Sequence, residues 1–223
     1  DDQDQLTVVK EAIRELNIDE KTFRPNALRE QISRAKSRLW TPQQIRENSS
    51  DKESDVLASV YQAYQRKLFA NNSLDFDDLL MATVKLLQKD EGTLAGYQER
   101  FHHVLIDEYQ DTNHAQYQLV RLLGGKHNNV FVVGDEDQSI YSFRGAEIHN
   151  ILGFERDFPG TALYRLQQNY RSTQRILNAA NALIRNNRER KGKILWTENG
   201  EGDKVHAFSG MDEHEEVNFI LDK

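Results

Sequence analysis

Residues 103–112 read His-Val-Leu-Ile-Asp-Glu-Tyr-Gln-Asp-Thr, and this stretch decides the fold. Three apolar residues, Val104, Leu105 and Ile106, run directly into two acids, Asp107 and Glu108. A short continuous apolar run ending in polar residues has the pattern of a buried strand. Asn129 to Gly134 (NVFVVG) is a second such run, and Thr161 to Leu166 (TALYRL) is a third. Helical patterns lie between them, at about 113–123 and 146–156. Strands alternating with helices predict an α/β fold with a parallel sheet and crossover connections. Such sheets carry their sites beyond the carboxyl ends of the strands.

Upstream, residues 1–100 read as helices. Leu28, Ile32, Ala35 and Leu39 share one face, and Val56, Leu57, Val60, Tyr61, Tyr64 and Leu68 form a second apolar stripe. Stripes of this kind are core far more often than ligand sites. Thr41-Pro42-Gln43-Gln44 is a helix start, with a capping threonine, proline at the first helical position and a glutamine to complete a capping box. Asp75 caps a helix carrying Leu79, Leu80, Val84 and Leu87. Downstream, a helix follows Ser172 with Ile176, Leu177, Ala180, Leu183 and Ile184 on its buried face. Lys193–Trp196 and Lys204–Phe208 read as strands of another sheet.

The 223 residues hold 38% hydrophobic and 29% charged side chains, with ten Phe, eight Tyr and two Trp to fill a core. Mean hydropathy is −0.76. Cysteine is absent, which excludes a disulfide framework, a thiolate zinc site and a cysteine nucleophile. No apolar run approaches membrane-spanning length. The acidic opening Asp1-Asp2-Gln3-Asp4, followed by no apolar stretch, reads as no signal peptide. Net charge is −7, which by itself argues against a general nucleic-acid coat. The charge is uneven. Residues 24–48 carry six basic and two acidic side chains, and residues 161–193 carry eight and one. Residues 49–111 and 194–223 are each acidic by six. Charge runs are usually solvated faces; the sharper reading is local anion-binding surfaces on an acidic body.

Two polar clusters follow the first two apolar runs. In Asp107-Glu108-Tyr109-Gln110-Asp111-Thr112, adjacent carboxylates at a buried strand's end call for a cation or for work as a base. One can hold Mg²⁺ and the other can orient a water. The plain alternative has Asp111 or Thr112 capping the next helix. In Gly134-Asp135-Glu136-Asp137-Gln138-Ser139-Ile140-Tyr141, the glycine permits close backbone approach. Gln138 both donates and accepts, which suits sensing a phosphate or water. The plain alternative is a polar surface turn. Phe143-Arg144-Gly145 and Asn169-Tyr170-Arg171-Ser172 each place an arginine beside an aromatic, a good pair for anions and stacked bases.

DEYQDT (107–112), VGDEDQSIYSFRGA (133–146) and LQQNYRST (166–173) resemble motifs II, III and IV of superfamily 1A DNA helicases, the UvrD/PcrA/Rep group. LDFDDL (74–79), FERDFPG (154–160) and WTEN (196–199) are similar too, so the likeness runs along nearly the whole chain. The resemblance implies an incomplete RecA-like P-loop NTPase motor domain, a mainly helical inserted domain and the start of a second RecA-like domain. Residues 1–73 would be the insertion, 74–160 the rear of the first motor domain, and 161–223 the opening of the second.

The resemblance also implies roles. Asp107 would hold Mg²⁺, with Glu108 beside it activating the water that attacks the γ-phosphate of ATP. Gln138 would couple that phosphate to movement. Arg171 would reach it as an arginine finger, and Tyr170 would stack on adenine. Tyr141, Phe143 and Arg144 would lie on the single-stranded DNA side, with Phe76 as a further stacking candidate. The implied activity is Mg²⁺-ATP-driven 3′-to-5′ movement on single-stranded DNA and DNA junctions, in repair or replication. The implied setting is the bacterial cytoplasm or nucleoid, with no membrane partner.

Departures from the group's pattern accompany the match. No G-x-x-x-x-G-K-[ST] loop occurs. The resemblance implies that this loop precedes residue 1 and that motifs V and VI follow residue 223. The chain then reads as an internal segment, expected to be inactive alone and to expose a sheet edge or apolar face. Gln167 stands where the group usually has Glu, and Phe143 where Trp is common. Two rival functions remain at this stage: the helicase part of a helicase–nuclease complex, and a non-catalytic single-stranded-DNA-binding or interaction module. The plainest reading, a globular α/β domain with polar caps, needs all three motif matches to be accidental.

Overall fold

Capping side chains set where the helices begin. In the computed structural model, which describes residues 1–49, 51–188 and 190–222, α1 spans Asp2–Glu15 and α2 spans Pro25–Ser37. Thr41 opens α3 (Pro42–Asn48) through the capping box with Gln44 that the sequence foretells. Asp51 accepts from the Ser54 amide at the start of α4 (Lys52–Ala70). Asp75 and Asp78 cap each other's amides at the start of α5 (Phe76–Lys89). α6 (Glu91–Arg100) follows Asp90.

These helices belong to the first of two compact units, residues 1–160; the second is residues 161–223. In the first unit, Val9, Ile13, Leu28, Ile32, Tyr61 and Tyr64 are at most 3% exposed and form the main core of α1, α2 and α4. Full burial of each such side chain contributes about 1.5–3 kcal/mol. The stripes read from the sequence are therefore core. Leu39 departs from its stripe: it is half-buried, in left-handed backbone just past α2.

One member of the basic stretch 24–48 is not a surface charge at all, although Arg24, Arg34 and Arg38 are exposed. Lys36 is fully buried, 2.6 Å from Asp75 and 2.9 Å from Asp78. Its ammonium lies 4.9 Å from the Tyr64 ring centre, and the Tyr64 hydroxyl donates to Asp75 at 2.7 Å. A buried charge persists only when paired and hydrogen-bonded, and this one is both. The clamp fixes the start of α5, and so the base of Phe76, against α2 and α4.

A parallel β–α–β unit follows. β1 (Val104–Ile106) and β2 (Val130–Val132) pair in register, Val104 with Val130 through Ile106 with Val132, and α7 (His114–Gly124) connects them. Side chains alternate across a strand. Ile106, Val130 and Val132 pack inward with buried Tyr109, Val120 and Phe154. Leu105 and Phe131 face the other way and are 71% and 58% exposed. The sequence expectation of an uncovered apolar face holds among the described residues.

Several expectations need correction. Asn113, not Asp111 or Thr112, caps α7, in a box with Gln116. The helix expected at 146–156 is two short ones, α8 (His149–Leu152) and α9 (Phe154–Asp157), meeting at Gly153. Residues 161–166 are not a strand, and neither are Lys193–Trp196 or Lys204–Phe208. One parallel bridge, Gln168 to Trp196, is all that forms there. Strand conformation needs a ladder partner, and Leu163, Tyr164 and Leu166 stand exposed instead. The second unit carries α10 (Gln174–Ile184) and α11 (Glu213–Leu221). On α10, Leu177 is buried, but Ile176, Ala180 and Leu183 are exposed and Ile184 is half-buried. The buried polar residue there is Asn181, which donates to the Leu195 carbonyl and accepts from the Leu195 amide. Among the described residues no helix is long and apolar enough to cross a membrane.

Candidate active site

The site is built at the carboxyl ends of β1 and β2. Pairing continues past the strands: the Val133 amide donates to the Ile106 carbonyl, and the Tyr109 amide donates to the Val133 carbonyl. Between those two bonds the chain must turn sharply. It does so at Glu108, whose φ of 50° and ψ of 42° are left-handed. That conformation costs a non-glycine residue about 1–2 kcal/mol. The Asp107 carboxylate accepts the Glu108 amide at 2.9 Å and offsets part of it. Backbone strain at a carboxylate on a strand end is typical of functional sites. Both acids are exposed, not desolvated. The cost argued from burial at the strand's end therefore falls away, because water solvates the pair.

The turn Tyr109–Asp111 anchors the site from below. Tyr109 is fully buried, its ring edge-on to Phe154 at 5.5 Å. Burial pushes its hydroxyl up to about 12. Gln110 is 1% exposed and joins the two loops. Its amide nitrogen donates to Glu108 Oε2 at 2.8 Å, and its amide oxygen accepts from the Asp135 backbone at 3.0 Å. Gly134 makes this approach possible. A Cβ there would stand 2.7 Å from Gln110 Oε1 and 2.8 Å from Ile151 Cδ1. Gly134→Ala is expected to cost about 1–3 kcal/mol by overpacking, read as a lower urea midpoint at unchanged slope.

Asp135 opens the second loop, and Gln138 Nε2 donates to Asp135 Oδ2 at 2.8 Å. Glu108, Asp111, Gln138 and Tyr141 line one cleft of about 480 Å³. The structure thus brings together Glu108, Gln138 and Tyr141, with Asp107 adjacent in sequence to Glu108. Asp111 Oδ1 is buried there without a hydrogen-bond partner. An unpartnered carboxylate oxygen can serve a cation, but among the described residues Asp107, Glu108 and Asp111 do not converge as a three-ligand group.

The segment after Gln138 carries an aromatic platform. Arg144 lies 5.3 Å from the Tyr141 ring centre and 5.6 Å from that of Phe143. Phe143 is 67% exposed. Gly145, at a φ of 89°, ends the short turn that holds the arginine over both rings. The Thr112 carbonyl then accepts from the Glu147 amide and from Asn150 Nδ2, each at 3.0 Å. The segment that follows the platform is thereby tied to the strand-end loop through Thr112.

Phe76 lines a different cavity, of about 350 Å³, with Leu68, Leu74 and Leu79. Tyr170 and Arg171 belong to the second unit. Asn169 accepts the amides of Arg171 and Ser172 at 2.9 and 2.7 Å, which shapes the turn. Tyr170 is 78% exposed, its hydroxyl donating to Gln168. Gln167 is half-buried, and its carbonyl accepts from the Trp196 amide. Gln110, Lys36 and Asn150 escaped assignment from sequence. Gln110 sits inside the quoted cluster, and its only signal is a polar residue between two groups that the turn must bury.

Comparison with known proteins follows this geometry. The family model of the UvrD/REP helicase N-terminal domain matches residues 1–159. That of the UvrD-like helicase C-terminal domain matches residues 164–223. The chain is 48% identical over 221 residues to the ATP-dependent DNA helicase PcrA of Staphylococcus aureus, covering 99% of this chain and 30% of that protein. The Staphylococcus epidermidis protein of the same name gives the same identity and coverage. The chain therefore spans about three-tenths of the length of these curated relatives.

Proposed function

The chain belongs to the UvrD/REP helicase family, and from that premise we propose that it is a segment of an ATP-driven motor that moves along single-stranded DNA. The carrying observation is the shared cleft: Glu108 and Gln138 line it, and the Tyr141–Phe143–Arg144 platform begins at its rim. Within this reading residues 1–73 are the helical insertion, 74–160 the rear of one motor domain and 161–223 the start of the other. The break between compact units after Gly160 supports the second boundary.

Asp107 and Glu108 would hold Mg²⁺, which supplies charge neutralisation at the phosphates. Glu108, kept in place by Gln110, accepts a proton from the attacking water. Gln138 reports on the phosphate through its amide, whose nitrogen is tied to Asp135. The roles of Arg171 with phosphate and of Tyr170 with adenine rest on the family resemblance alone. Direction of movement, 3′ to 5′, and a role in repair or replication follow from the family alone.

In the whole protein, DNA-stimulated ATP turnover is the direct test, and the 223-residue chain by itself should turn over ATP negligibly. Robust DNA-stimulated hydrolysis by residues 1–223 would contradict that expectation. For the platform, Phe143→Ala in the whole protein should weaken single-stranded DNA binding by about 1–3 kcal/mol, the value of one stacked base. Fluorescence anisotropy with a labelled oligothymidylate reads this, and an unchanged affinity would remove Phe143 from the DNA path.

A further inference from the structure

At the opposite end of the sheet from the cleft lie three potential metal ligands, Glu99, His102 and His127. Their ligand atoms all fall within 4.8 Å of one another. Glu99 is in the last turn of α6, His102 lies between α6 and β1, and His127 is in the turn between α7 and β2. The two imidazoles stack face to face, centroids 4.6 Å apart and planes 16° apart.

His127 Nε2 sits 2.9 Å from the Gln98 carbonyl oxygen. A carbonyl only accepts, so that nitrogen carries the proton and Nδ1 keeps the lone pair. A second hydrogen bond that fixes the tautomer is the usual support of a metal-bound histidine. Gln98 is itself anchored, its amide donating to the Leu122 carbonyl at 2.7 Å. The Glu99 carboxylate is ion-paired with Lys126.

We propose that Glu99, His102 and His127 form a binding site for a borderline divalent cation of the Zn²⁺ class, with the Lys126 ammonium as its electrostatic competitor. Two imidazoles and one carboxylate select Zn²⁺ over Mg²⁺, which takes oxygen ligands. Tetrahedral bonds of about 2.0–2.2 Å put ligand atoms about 3.3 Å apart. Glu99 and His102 are exposed and His127 half-buried, so rotation of surface side chains closes the difference. The Val104 amide donates to the Asn129 carbonyl beside this group, at the strands' amino ends. The ion therefore joins the end of α6 to the α7–β2 turn, and it stabilises the β–α–β unit without entering the cleft.

The test is calorimetric titration of the chain with ZnCl₂ in millimolar MgCl₂, which occupies oxygen-only sites. One Zn²⁺ per chain and a raised melting temperature are expected. His102→Ala and His127→Ala should each weaken binding at least tenfold, Lys126→Gln should tighten it severalfold, and Glu108→Gln should leave it unchanged. Co²⁺ added to the unaltered chain should give the intense visible absorption of a four- or five-coordinate nitrogen site, a readout that needs no variant to fold. Absence of Zn²⁺ binding would overturn the proposal. So would binding unchanged in both histidine variants, binding lost in Glu108→Gln, or a weak octahedral Co²⁺ spectrum.

Discussion

Glu108→Gln in the whole protein should lower ATP turnover by about 10²–10⁴-fold, the range for removing a positioned general base. ATP affinity should stay within a few-fold. The geometry makes the substitution clean. Glutamine matches glutamate in size, and its oxygen can still accept from Gln110 Nε2, which now bonds Glu108 at 2.8 Å. The left-handed backbone at residue 108 carries the same cost in both proteins. What is lost is the carboxylate, since an amide has no usable basicity. Steady-state turnover with saturating single-stranded DNA, beside a binding measurement with a fluorescent ATP analogue, separates the two effects. Turnover within tenfold of the parent would remove Glu108 from the chemistry. A parallel loss of melting temperature would make the effect structural.

The largest effect on stability is expected at Lys36. Lys36→Met should cost about 3–5 kcal/mol, because it strands carboxylates that are themselves almost fully buried. The Asp75 and Asp78 side chains are each 5% exposed. Burial alone would push the Asp75 carboxyl up, but the Lys36 ammonium and the Tyr64 hydroxyl hold it below the usual carboxylate range. The sign follows from that. A carboxyl depressed in the folded state stabilises fully above the unfolded value, about 4. It loses that contribution as pH falls through the lower folded value. Lys36→Met should therefore lower the plateau and flatten this part of the acid limb, so that its deficit against the parent shrinks as pH falls below about 4. Adding Asp75→Asn and Asp78→Asn should recover much of the loss, since asparagine still caps a helix and no charge remains to bury. Urea titrations of the three proteins across pH 3–8 measure all of this. Failure of the neutral combination to recover stability would mean that Lys36 acts through packing on Tyr61 and Tyr64 instead.

These two residues mark the boundary of what could be read from sequence. The position of Glu108 at the carboxyl end of a strand was legible because a short apolar run marks the strand. The caps at Thr41 and Asp75 were legible because capping is local, three residues from cause to effect. Lys36 was not. It lies in a basic stretch, and its partners are 39 and 42 residues away. Only packing of α2 against α5 turns a surface-looking lysine into a buried one. Gln110 was illegible for the same reason, since its second partner, Asp135, arrives through the sheet. The segments 161–166, 193–196 and 204–208 fail differently. Their composition favours strands, but a strand is a pair property, and only the Gln168–Trp196 bridge gives any of them a neighbour. The charge count on 24–48 mixes two kinds of residue: Arg24, Arg34 and Arg38 are exposed, whereas Arg46 faces Ser59 and Gln62, Arg29 faces Asp2 and Lys36 is buried.

Gln110 has a mechanical consequence. One rigid side-chain amide holds Glu108 with its nitrogen and the backbone of Asp135 with its oxygen. The absence of a side chain at Gly134 gives that amide its place, which a Cβ would fill. The two strand-end loops thus share one frame of reference, and the placement of Glu108 relative to the Asp135–Gln138 turn is set by the fold itself. If the chain works as proposed, motion enters outside this frame, through the segment from Ser139 to Gly145, and the strand-end loops are the fixed part against which that segment moves.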